Sequence, residues 1–96
     1  MSPKNKIKLN FIRKKLDKID NQLLSLIKKR TLQVNNVIKL KEYKSEIVDK
    51  KRISLILKKI RVKSRKMKID PSITNRIWKN MIWSYINYER KNFKKK

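Results

Sequence analysis

Arg30 and Lys41 stand eleven residues apart in the stretch RTLQVNNVIKLK. At about 100° per residue in a helix, that spacing brings the second side chain back to within about 20° of the first, three turns along one face. The two cations share a stripe, and the residues on and around it, Leu32, Val34, Val37, Ile38 and Leu40, are apolar. A gap of about 16 Å along the axis is one that two long side chains close around a small ligand by leaning toward each other. Inward-facing cations need opposite charge, so the ligand expected is a small dianion.

Arg13 and Glu89 extend the pattern. Arg13 lies about 25 Å further toward the N-terminus than Arg30 and about a quarter turn round, out of reach of the same ligand from its own helix. In an antiparallel pair of long helices, Arg13 of one chain would instead come up beside Arg30 of another. Glu89 continues the steps of four and three made by Trp78, Ile82 and Tyr85. A carboxyl on that inward stripe must be paired or protonated, and the plainest expectation is an ion pair with a nearby Lys or Arg. Asp17 and Asp20, one turn apart, read as partners for the lysines around them.

The seven arginines, Arg13, Arg30, Arg52, Arg61, Arg65, Arg76 and Arg90, carry more weight than any lysine. The chain lacks Gly, Ala, Cys and His and is rich in Lys, Ile and Asn, a pattern of drift toward A- and T-rich codons. Much of the formal charge of +23 is therefore solvated lysine supplied by mutational bias. Arg held against that drift marks candidate places where a planar fork grips a carboxylate or phosphate at two points, the alternative for each taken alone being a surface charge. The charge itself admits nucleic acid, an acidic membrane surface or an anionic substrate as partner.

What is missing narrows the chemistry. Without Cys there is no disulfide or thiolate, and without His the usual general base and metal ligand are gone, so no metal and no cofactor are expected. No apolar run approaches the roughly 18 residues of a membrane span, and the opening MSPKNKIKLNFIRKK has no export segment. The expectation is a cytoplasmic protein with no membrane partner.

The elements that must position these residues are helices. Leu9, Ile12, Leu16, Ile19, Leu23 and Leu26 alternate steps of three and four, and Arg30 takes the next place. A neighbouring seam of Asp20, Leu24, Ile27, Thr31, Val34 and Ile38 leads to Lys41. The pattern predicts an all-α single domain over residues 1–96, with a first helix over about 6–42. At roughly 50 Å that helix is longer than a three-helix domain of this size can cover, so a second chain is expected. The polar EYKSEIVD reads as a connection, with Asp49 capping a second helix over 49–68 that buries Ile53, Ile56, Leu57 and Ile60. The DPS signal starts a third helix over 71–92, with Ile77, Trp78, Met81, Ile82 and Tyr85 inward, before a frayed basic tail at 93–96.

Arg13, the run IDNQLLSLIKKR, Lys41, VDKKR ending at Arg52, and Glu89 together resemble the all-helical chorismate mutase family, over about Ile12 to Arg90. The resemblance implies an intertwined homodimer whose long first helix spans both chains, with two equivalent sites for chorismate. It further implies that Arg13 enters from the partner chain, that Arg30 grips a substrate carboxylate, and that Lys41 contacts a carboxylate and the breaking ether oxygen. Arg52 adds positive field, Glu89 stands beside the ether oxygen, and Asp49, Ile53 and Tyr85 complete the substrate-contacting set. No specific nucleic acid is implied.

Two departures point to alternatives. Typical members carry Glu directly after the arginine matched by Arg52, where this chain has Ile53, and Tyr85 replaces a common Ser. The connection before Asp49 also looks one residue shorter. Both substitutions resemble the isochorismate pyruvate-lyase branch, which acts on the isomeric substrate with the same scaffold. A basic helical nucleic-acid-binding protein is the reading from another class, weakened because Arg30 and Lys41 lie on apolar seams rather than on an open face.

Overall fold

The computed structural model describes residues 1–94, which form three α-helices, one turn of 3-10 helix and no strand. Helix α1 runs Pro3–Leu40, α2 Lys50–Lys66 and α3 Pro71–Asn92, with the 3-10 turn at Lys44–Glu46.

Helix α1 begins earlier than the expected Lys6. The Ser2 hydroxyl accepts the Asn5 backbone N–H at 3.2 Å, and Pro3 fills the first helical position, where a missing N–H does no harm. The helix also stops short of the expected Glu42. The Lys41 N–H is shared between the carbonyls of Val37 and Ile38, at 3.2 and 3.3 Å. The Glu42 N–H is then taken by the Glu46 carboxylate at 2.8 Å, which turns the chain out of the helix.

The chain divides into two compact units, Met1–Gln33 and Val34–Lys96. In the first, the apolar seam has no cover of its own: Ile12, Leu16, Ile19, Leu23 and Leu26 are each at least half exposed. In the second, α2 and α3 pack against each other around a small core of Ile38, Ile47, Ile82, Ile86 and Phe93. Val34, Val48, Ile53, Ile56, Leu57 and Tyr88 pack around it. The connection expected to be merely polar thus supplies Ile47, and the tail expected to be frayed supplies Phe93, whose N–H closes on the Glu89 carbonyl at 2.8 Å. Lys95 and Lys96, the rest of that tail, lie outside the described residues. Ile77, expected inward, is about half exposed instead.

The joint between α2 and α3 is built from polar detail. Asp49 caps α2 by accepting the Arg52 N–H at 3.0 Å. A buried hydrogen bond of 2.7 Å joins Ser64 of α2 to Thr74 of α3. Helix α2 ends at Lys66 rather than Lys68, because Ile69 N–H returns to Ser64 O and Lys68 N–H to Arg65 O. That double closure requires a left-handed residue, and in a chain without Gly the position falls to Lys68, at φ 59°. Asp70 then caps α3 by accepting the Ser72 N–H at 2.9 Å.

Both Lys68 and Asp70 should be visible in stability measurements. The left-handed conformation costs an L-residue about 1–2 kcal/mol, and glycine's extra freedom in the unfolded chain returns part of that gain. Lys68→Gly should therefore stabilise the fold by about 0.5–1 kcal/mol, read as a higher urea midpoint at unchanged slope. The hydrogen bonds from Ser72, from its backbone first and then its side chain, hold the Asp70 carboxyl below its ordinary 3.8. A carboxyl lowered in the folded state contributes stability above its unfolded value, and that contribution disappears as pH falls through the lowered one. Below about pH 4 the wild type should thus lose stability that Asp70→Asn, which keeps the acceptor but cannot titrate, does not lose. Melting temperatures of both proteins from neutral to acid pH check this.

Candidate active site

Glu89 sits on the buried face of α3, one turn after Ile86 and two turns after Ile82, and all three are buried. Packing α3 against its neighbours therefore carries a carboxyl into an apolar wall, where an unpaired charge would cost several kcal/mol. Lys41 meets it. Its ammonium donates to Glu89 Oε1 at 3.0 Å, with the lysine side chain about one-fifth exposed. Lys41 arrives there because α1 has just ended: the side chain leaves from the first residue beyond Leu40. The ion pair expected for Glu89 is present, and its partner is Lys41, 48 residues earlier in the chain.

None of the other predicted positions makes a polar contact with this pair among the described residues. Tyr85, one turn before Glu89, is half-buried and meets Tyr88 edge to face, with ring centroids 6.3 Å apart and planes at 87°. Ile53, in the first turn of α2, is half-buried against the core. Arg52 is exposed beside it, and the Asp49 carboxylate is engaged by the Arg52 backbone rather than by its guanidinium. A shallow surface depression at the start of α2 includes Asp49 with Val48 and Lys50, but neither Lys41 nor Glu89. Arg30, half-buried, and Arg13, exposed, belong to the other unit of the chain.

One contact at the site escaped the sequence reading. The Tyr88 hydroxyl donates to Asn35 Oδ1 at 2.6 Å, tying α3 to the last turns of α1 immediately beside the Lys41–Glu89 pair. The only hint is that Asn35 precedes Lys41 by six residues and Tyr88 adjoins Glu89, which makes sense only once the two helices are known to be neighbours.

Chemically, the pair offers an ammonium and a carboxyl with no nucleophile or imidazole beside them. A half-buried cation fixed by a partner is suited to stabilising negative charge that develops on a substrate atom. It is equally suited to binding a carboxylate.

The family model for chorismate mutase type II matches residues 12–90. No curated protein and no solved structure is significantly similar to the chain. The matched segment holds Arg13, Arg30, Lys41, Asp49, Arg52, Ile53, Tyr85 and Glu89 and covers most of the sequence, and the protein therefore belongs to the chorismate mutase type II family, an all-helical family of isomerases.

Proposed function

We propose that this chorismate mutase rearranges chorismate to prephenate at a site centred on Lys41 and Glu89. The supporting observation is the contact of 3.0 Å between those two side chains, one half-buried and one buried, in a chain of this family. The reaction breaks one C–O bond and forms one C–C bond within the substrate, and needs neither nucleophile nor proton shuttle. A chain without His or Cys is equipped for it.

Two effects supply the rate. The substrate's side arm must be held folded over its ring, and charge growing on the ether oxygen must be stabilised as its bond to carbon breaks. Arg30 grips a carboxylate with its fork, Lys41 reaches the other carboxylate and the ether oxygen, and Arg52 adds positive field. Ile53 and Tyr85 line the ring, and Asp49 acts through the start of α2, which orients Arg52. The protein acts in the cytoplasm.

Glu89 is the residue with a conditional role. An ionised carboxylate only accepts hydrogen bonds, as it does from Lys41, and would repel the charge growing on the ether oxygen. Serving that oxygen requires a proton on Glu89. Glu89→Gln, a permanent donor of similar shape, should therefore keep or raise kcat/KM, whereas Glu89→Ala should lower it. Lys41→Gln should lose about 100- to 1000-fold in kcat at every pH. A loss of kcat/KM in Glu89→Gln as large as in Glu89→Ala would leave Glu89 as a structural, ionised partner of Lys41 alone. Isochorismate assayed in parallel tests the substrate, since pyruvate and salicylate as the main products would overturn the assignment.

The active protein is a homodimer in which α1 of each chain is covered by the other. The exposed seam from Ile12 to Leu26 supports this, because such a stripe is unstable in water without a partner. Arg13 then completes the site of the opposite chain. Mixing Arg13→Ala with Arg30→Ala chains should restore one intact site per heterodimer, and with it activity absent from either pure variant. No recovery after confirmed subunit exchange would rule out sharing.

A further inference from the structure

Helix α2 carries a feature that the mutase reaction does not use. Nine of its 17 residues are Lys or Arg and none is acidic, whereas four of the 22 residues of α3 are basic. Codon drift does not explain the contrast. It acts on both helices alike, and α3 fills exposed positions with Asn80, Asn87 and Asn92, which A- and T-rich codons also encode.

The placement is ordered as well as dense. Ile53, Leu57 and Ile60 mark the face of α2 turned toward the core, and at about 100° per residue Leu55 and Val62 fall on a line roughly opposite. Lys51 and Lys58 flank that line by about 30–50° on one side, and Lys59 and Lys66 by about the same on the other. All six side chains are exposed, and none of the four lysines has an ion-pair partner among the described residues. The outcome is two staggered pairs of ammonium groups, each spanning about 10 Å, one beside the N-terminal half of the line and one beside its C-terminal half, about 22 Å from end to end.

We infer that this face of α2 is a docking surface for double-stranded DNA, bound without sequence preference. Phosphate walls on both sides and a floor of base edges with methyl groups match lysine pairs that stand first on one side and then on the other of an aliphatic line, as for a helix crossing a groove obliquely, and the B-form major groove is about as wide as a helix. Lysine, a point charge without fork geometry, suits phosphate contact that ignores sequence. The deep, narrow major groove of A-form RNA does not admit a helix. No aromatic side chain lies on α2, so a stacked single strand is not served. Insertion into a membrane is disfavoured because the main apolar face of α2 is already committed to the core.

Binding to a short mixed-sequence DNA duplex, measured by fluorescence anisotropy across a salt series, tests the inference. Each phosphate contact adds about 0.9 to the slope of log affinity against log salt, so replacing Lys51, Lys58, Lys59 and Lys66 by Gln should make it shallower by about 3 to 4. A control with Lys4, Lys8, Lys15 and Lys18 replaced by Gln removes the same charge from α1 and should change the slope by less than about 1. Circular dichroism establishes that both variants are folded. Equal effects of the two variants would mean that net charge alone binds DNA and would overturn the surface. So would tighter binding to duplex RNA, or retention on phosphatidylserine vesicles without affinity for DNA.

Discussion

The contact between Lys41 and Glu89 is the constraint around which the second unit is arranged. A carboxyl on the buried face of α3 is tolerable only if a cation reaches it, and that cation comes from the far side of the connection and α2 in sequence. The end of α1 must therefore lie beside the end of α3, and α1 must stop where it does. A longer α1 would keep Lys41 in helical geometry and aim its side chain by the helical period instead. The Tyr88–Asn35 hydrogen bond fixes the same pair of helices one position away, and Phe93 closes the core just beyond. Polar and apolar contacts thus converge on one junction, which is where the proposed site places its fixed positive charge.

The rest of the fold shows how a chain without glycine or alanine punctuates its helices. All three helices start on a capping side chain: Ser2 stands before Pro3, and Asp49 before Lys50. Asp70 before Pro71 repeats the first device. At the other end of α2, the left-handed position that glycine usually occupies is held by Lys68, so the turn into α3 is bought with backbone strain. Ser64 and Thr74 offset part of it by pairing their hydroxyls across the joint, where neither is exposed to water.

The cations divide into two kinds by what surrounds them. Lys41 is held by a carboxylate in a half-buried position, the setting for binding a small anion. Those on the outer face of α2 stand in water with no acidic residue on their helix, a setting for a long polyanion. The same overall charge of +23 therefore describes two different electrostatic environments, and only the location of each cation separates them.

Sequence by itself determined the helical class, the start of α3 and the connection between α1 and α2, because period, capping residues and proline act over a few neighbouring positions. It also singled out Lys41 and Glu89, since a charged residue on an apolar stripe is visible without coordinates. Their pairing was decided only by the tertiary structure, because a contact across 48 residues depends on which helix ends become neighbours. The same reason accounts for Tyr88 meeting Asn35, and for the burial of Ile47 and Phe93 in segments that look polar and loose when read locally. The end of α1 was misjudged by two residues because the Glu46 side chain, from the next turn, competes for the backbone N–H that would have extended it.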